Sequence, residues 1–204
     1  MAARECAVCG AAFRSSEDRC VECGGLHLLE TGNAGVSERR PPAYGPGDHA
    51  ALMYDSDDRC ISVLLPFVRD GVAAGNRVIG VVDEHTKLLL RSHLTSAEAR
   101  RVEMITPAEQ YGAEFKADRT YDAWSSLIAS TDGILRGFGG LDEPTARTVD
   151  PAEWGRYERS IGGLLRDEAL GLCLYDARYC SPELLEMGAG HPLIGARDKV
   201  HVCR

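Results

Sequence analysis

Val78-Ile79-Gly80-Val81-Val82 is a run of five apolar residues, closed by Asp83-Glu84. A strand with one wet face would alternate apolar and polar side chains. This run does not alternate, so both of its faces are covered. Ala50-Ala51-Leu52-Met53-Tyr54 and Leu170-Gly171-Leu172-Cys173-Leu174-Tyr175 have the same character. Val102-Glu103-Met104-Ile105 reads as another strand, residues 134–141 as a glycine-rich one, and Val200-His201-Val202 as a last one. Helical patterns separate them. Ile61, Leu64, Leu65, Val68 and Val72 fall on one helical face, and Gly75 stops that helix. Residues 84–94 are helical, and Thr95-Ser96-Ala97-Glu98 has the spacing of a capping box. Asp118 is placed to cap a helix that buries Tyr121, Trp124 and Ile128. Asp150-Pro151-Ala152-Glu153 opens a helix whose stripe is Trp154, Tyr157, Ile161, Leu164 and Leu165. Ser181-Pro182-Glu183 opens another. Strand–helix alternation with apolar strands specifies an α/β fold, a mostly parallel sheet with helices on both faces.

Ligands of such sheets sit at the carboxyl ends of the strands. That rule selects Asp55, Asp83, Glu84, Asp176 and Arg178, with Tyr54 and Tyr175 just before two of the acids. A tyrosine offers a small organic ligand an apolar ring and a hydroxyl. Core packing is the alternative for both tyrosines, and a structural ion pair with Asp176 is the alternative for Arg178. His49 opens the first strand as a ligand contact or as a satisfied polar residue at a sheet edge.

Cys6-Ala7-Val8-Cys9-Gly10 and Cys20-Val21-Glu22-Cys23-Gly24 carry a separate message. Two CxxC pairs, each followed by glycine, match a structural Zn2+ site. Cys6, Cys9, Cys20 and Cys23 would fill a tetrahedral shell and leave no open position. Their domain would then fold only with metal. The ribbon spans residues 1–30, with Phe13, Leu26 and Leu28 as its core. Residues 31–47 form a Gly/Pro-rich linker, and 48–204 form the α/β domain.

The formal net charge is −8. Residues 1–40 hold five arginines against six acids, so the ribbon lacks the basic footprint of a nucleic-acid binder. Direct nucleic-acid binding is not expected. The sequence opens without a signal-peptide pattern, and no apolar run approaches the ~20 residues that span a bilayer. A cytoplasmic protein without membrane contact is expected, with Cys60, Cys173, Cys180 and Cys203 as free thiols and Cys173 in the core.

Several segments occur together in an order that resembles one family. They are His49-Ala50-Ala51-Leu52-Met53-Tyr54, Phe67-Val68-Arg69-Asp70-Gly71-Val72-Ala73-Ala74-Gly75, Tyr157 with Leu164-Leu165, Leu172-Cys173-Leu174-Tyr175-Asp176-Ala177-Arg178, Ser181-Pro182-Glu183-Leu184-Leu185 and His191-Pro192-Leu193-Ile194. The chain from about residue 46 onward resembles the MEDS domain, the methanogen/methylotroph DcmR sensory domain. The resemblance implies a fold similar to RecA/KaiC-like ATPase cores without their phosphate loop, and a bacterial module that senses small organic compounds. No GxxxxGK[ST] motif occurs in the chain. The family's acidic, tryptophan-containing segment after the fourth strand is here Gly139-Gly140-Leu141-Asp142-Glu143-Pro144-Thr145, without tryptophan. His191 joins the ligand-binding candidates, with a tight His-Pro turn as its other reading.

These readings combine into a non-enzymatic sensor that binds a small organic ligand and signals to a regulatory protein partner in transcriptional control. The ribbon is structural or docks that partner, and a homodimer is left open. Two other readings stand beside this one: an adaptor without ligand, and a residual KaiC-like nucleotide-binding enzyme acting through Asp83 or Glu84.

Overall fold

The computed structural model describes residues 45–112 and 114–189 in full, and the backbone alone of 4–6, 12–13 and 28–30. Those short pieces are strands β1 (Arg4–Cys6), β2 (Ala12–Phe13) and β3 (Leu28–Glu30), paired antiparallel in the order β2-β1-β3. Cys6 closes β1. The side chains of the expected ribbon core and zinc shell, Cys9, Cys20 and Cys23 among them, lie outside the described residues. So do His191, Cys203 and the expected strand at Val200-His201-Val202.

The main sheet contains β4 (His49–Tyr54), β5 (Arg77–Val81), β6 (Val102–Ile105), β7 (Leu135–Gly140) and β8 (Ala169–Asp176). Its order is β4-β8-β7-β5-β6, and all four pairings are parallel. The expected mostly parallel sheet is thus wholly parallel. Continuous apolar runs become strands buried on both faces, as in β4, where all six residues are buried.

One face is covered by α1 (Asp57–Ala73) and α2 (Glu84–His93). The other is covered by α4 (Pro107–Tyr111), α5 (Ala117–Ala129), α7 (Pro151–Leu165) and α8 (Pro182–Ala189). Strand alternation sorts the side chains. Ala50, Leu52, Val78, Phe138 and Leu172 face α1, while Ala51, Met53, Ile79, Val81 and Cys173 face α5 and α7. Gly75 follows the end of α1 with φ +77°, a left-handed conformation that glycine adopts freely.

Caps fix the helix starts. Asp83 accepts from the Thr86 amide at 2.6 Å, and Thr95 and Glu98 complete the expected capping box at α3 (Ser96–Ala99). A second box, Thr106 with Glu109, begins α4, which the hydrophobic pattern does not announce. Asp142 caps another short helix, α6 (Glu143–Thr148). One expectation is corrected. Lys116, not Asp118, is the N-cap of α5, and Asp118 lies in its first turn, where a carboxylate favours the helix dipole. The buried stripe of α5 is therefore Ala117, Thr120, Trp124 and Ile128, and Tyr121 sits half-buried at its margin.

Candidate functional site

Strand β7 reads Leu135-Arg136-Gly137-Phe138-Gly139-Gly140. Its alternation sends Phe138 toward α1 and leaves Gly137 and Gly139 facing α5 and α7. In the neighbouring β8, Gly171 lies beside Gly137 on the same face. A Cβ on Gly137 would stand 2.9 Å from the Trp124 ring, and one on Gly171 would stand 3.0 Å from Leu165. The Trp124 ring and the Leu165 side chain thus pack down onto the bare strand backbone, and a small hollow remains beside them under the helices. It encloses about 30 Å3, room for one or two water molecules, and is partly open to solvent. The walls include Tyr111, Trp124, Trp154, Tyr157 and Ile161. Phe115 packs against the Trp154 and Tyr157 rings at centroid distances of 5.0 and 5.8 Å.

A polar patch interrupts this apolar wall. His49 enters from the start of β4, Cys173 and Tyr175 from β8, and Glu158 from α7. Helical spacing puts Trp154, Glu158, Ile161 and Leu165 on one face of α7, so the carboxylate descends onto the sheet. The Trp154 indole N–H donates to the Tyr175 hydroxyl at 2.9 Å, and that hydroxyl donates to Glu158 Oε1 at 2.6 Å. Glu158 Oε2 lies 3.5 Å from His49 Nε2 and 3.7 Å from Cys173 Sγ, and His49 Nε2 lies 3.2 Å from the same sulfur. All four residues are buried.

Burial, reinforced by the Glu158 charge, holds the Cys173 thiol and the Tyr175 phenol protonated well above their ordinary ranges. Burial also raises Tyr157 and Tyr111, helped by the neighbouring Cys173 and Glu158. The Trp124 indole N–H approaches the Tyr157 hydroxyl closely enough to oppose that rise, but it makes no hydrogen bond of good geometry. His49, Glu158 and Cys173 also present ligand atoms that could hold a metal ion.

The remaining candidates form a second group at the carboxyl ends of the strands. Tyr54 and Asp83 border a shallow cleft of about 10 Å3 with Thr86 and Leu141. Burial raises the Tyr54 phenol far above its usual range, with Cys60 as the next cause. Arg178 donates from Nε to both oxygens of buried Asp176, at 2.9 and 3.0 Å, and from Nη1 to Asp57 at 3.2 Å. That arrangement matches the ion-pair reading of Arg178. Glu84 is exposed and pairs with Lys87, and Asp55 is exposed. The structure therefore places His49 in the wall of the hollow, joins Tyr175 to it through Glu158 behind that wall, and keeps Tyr54, Asp55, Asp83, Glu84, Asp176 and Arg178 at the strand ends. Sequence reasoning misses Glu158, which reads as an ordinary helical carboxylate, and takes Cys173, Trp124 and Trp154 as plain core. The signal available was the alternating glycines of β7.

A family model described as MEDS, the methanogen/methylotroph DcmR sensory domain, matches residues 48–192, which is more than half of the chain. No curated protein matches the chain.

Proposed function

The chain belongs to the MEDS family of sensory domains, and from that premise we propose that it senses a small organic molecule bound in the hollow under α5 and α7. The observation that carries this reading is an aromatic-lined hollow over the glycines of β7 and β8, whose wall includes His49 and Cys173, with Glu158 and Tyr175 hydrogen-bonded behind them. Ligand sites commonly combine apolar walls with a few convergent polar groups. The hollow encloses only about 30 Å3, so a compact molecule enters by lifting α7 away from the sheet. Its polar group would meet His49 and Cys173, and its apolar part would meet Trp124 and Tyr157.

Signalling follows by population shift. A ligand wedged between α7 and the sheet favours one seating of that helix, and a partner reads the seating. The output is a regulatory protein in transcriptional control, by analogy with a sensory family rather than from the site itself. Cys6, Cys9, Cys20 and Cys23 hold Zn2+ in a ribbon that is structural or docks this partner. The protein acts in the cytoplasm without membrane contact. Among the described residues no helix is long and apolar enough to cross a membrane.

A thermal-shift screen of the full chain against short alcohols, thiols, carboxylic acids and haloalkanes tests the binding. A ligand present at 100 times its dissociation constant adds ~2.7 kcal/mol to stability. At least one class should raise the melting temperature of wild type and fail to raise that of Trp124→Ala. If every class leaves the wild-type midpoint unmoved, the sensor reading is wrong. ATP that raises the midpoint and is hydrolysed would favour the nucleotide-enzyme reading instead.

A further inference from the structure

The polar patch has the dimensions of a metal centre. Bonds of about 2.0 to 2.3 Å at tetrahedral angles put the ligand atoms roughly 3.3 to 3.6 Å apart. The three separations here are 3.2 Å between His49 Nε2 and Cys173 Sγ, 3.5 Å between His49 Nε2 and Glu158 Oε2, and 3.7 Å between Cys173 Sγ and Glu158 Oε2. All three sides of the triangle agree with one tetrahedral face to within a few tenths of an ångström. We propose that His49, Glu158 and Cys173 hold one divalent ion of the zinc class, with a fourth position open toward the hollow.

Three arguments support this assignment. The donor set mixes nitrogen, sulfur and oxygen, which suits Zn2+ and excludes the oxygen-only preference of calcium and magnesium. The residues come from three separate elements, β4, α7 and β8, yet converge on one buried point. The outer support of a metal ligand is also in place. Tyr175 donates to Glu158 Oε1, and Trp154 donates to Tyr175, which leaves Oε2 turned toward the sulfur and the imidazole.

The site differs from the proposed ribbon site. Three protein ligands leave an exchangeable position, the arrangement of a centre that binds something rather than one that only holds a fold. His49 and Cys173 are themselves part of the cavity wall. An oxygen, sulfur or halide donor of a small organic molecule could fill the fourth position while its carbon chain meets the aromatic rings. This anchoring role rests on the sensor reading, whereas the ion itself does not.

Metal counting on the full chain tests the proposal. Wild type purified with zinc should carry about two ions, one in the ribbon and one here. Replacing Cys6, Cys9, Cys20 and Cys23 together by serine should leave about one. His49→Asn and Cys173→Ala, each added to that background, should remove the last ion, and Cys173→His should keep it. Cobalt bound by the four-serine protein should show tetrahedral visible bands with a single-thiolate charge-transfer band. Circular dichroism and the urea midpoint establish that each variant is folded. A folded four-serine protein that binds neither zinc nor cobalt overturns the proposal. So does a metal count unchanged by both His49→Asn and Cys173→Ala. The anchoring role is tested by the chelator-stripped protein. Organic binding that weakens at least tenfold on stripping and returns with zinc supports it, and equal binding with and without metal overturns it while leaving the hollow as the sensor site.

Discussion

Replacing Tyr175 by phenylalanine removes one oxygen and no packing volume, so the change isolates the hydrogen-bond chain beneath α7. That oxygen accepts from Trp154 Nε1 at 2.9 Å and donates to Glu158 Oε1 at 2.6 Å. Trp154 and Tyr175 are 2% and 1% exposed, so water cannot replace either bond. A hydrogen bond to a charged group contributes about 1.5 to 3 kcal/mol and a neutral one about 1. Together they predict that Tyr175→Phe costs about 2 to 4 kcal/mol. At roughly 2 to 4 °C per kcal/mol for a chain of this size, the melting temperature falls by about 4 to 16 °C. Urea unfolding at neutral pH is the assay, with an unchanged slope expected. A double-mutant cycle with Glu158→Gln should return a coupling of at least ~1 kcal/mol. If Tyr175→Phe lies within ~0.5 kcal/mol of wild type and the coupling is near zero, the hydroxyl does not position Glu158, and the argument for a built polar patch fails.

Other consequences are open to the same measurements. Gly140→Ala would bring a Cβ to within 2.4 Å of the Leu174 carbonyl oxygen, so it should destabilise by about 2 to 3 kcal/mol in urea. Gly163→Ala, in the open part of α7 with nothing within 4 Å, should stabilise by about 0.5 to 1 kcal/mol. Arg178→Ala strips buried Asp176 of its side-chain partner; because the arginine is 44% exposed, the expected loss is about 1 to 3 kcal/mol. Burial first, and then the Asp176 charge, pushes the Cys60 and Cys180 thiols up to about 12 from an ordinary value of 9.0. Their folded values are raised, so the stability they contribute is complete below pH 9 and is lost as pH climbs from there toward 12. Cys60→Ala should therefore flatten the fall of the urea-derived free energy across that window by about 1.4 kcal/mol per pH unit.

The two-faced apolar strands were legible because their pattern leaves one physical solution, a sheet covered on both sides. Glycine and aspartate at helix ends were legible for an equally local reason. Two short helices, α4 and α6, escaped because five or six residues carry too little periodicity, and only their caps reveal them. Asp118 misled because it is the better capping residue by composition. Tertiary packing of Ala117 and Trp124 instead starts α5 one residue after Lys116. The site was legible in halves. His49 and Tyr175 stood out as polar groups on apolar strands, but Glu158 belongs to the patch only because strand order places β8 between β4 and β7. Nothing local to α7 encodes that adjacency. The strand-end rule drew attention to Asp176 and Arg178, which the structure ties to each other.

The chain has two tryptophans, and both line the hollow. Tryptophan fluorescence, excited at wavelengths where tyrosine does not absorb, therefore reports on the proposed site without any label. Titrating the wild-type full chain with short alcohols, thiols and haloalkanes tests the central claim directly. A saturable change is expected with at least one class, and it should disappear in folded Gly137→Ala, whose new methyl group pushes against the Trp124 ring. Linear, non-saturating responses that are the same in wild type and Gly137→Ala for every compound would contradict the claim that this hollow binds the signal.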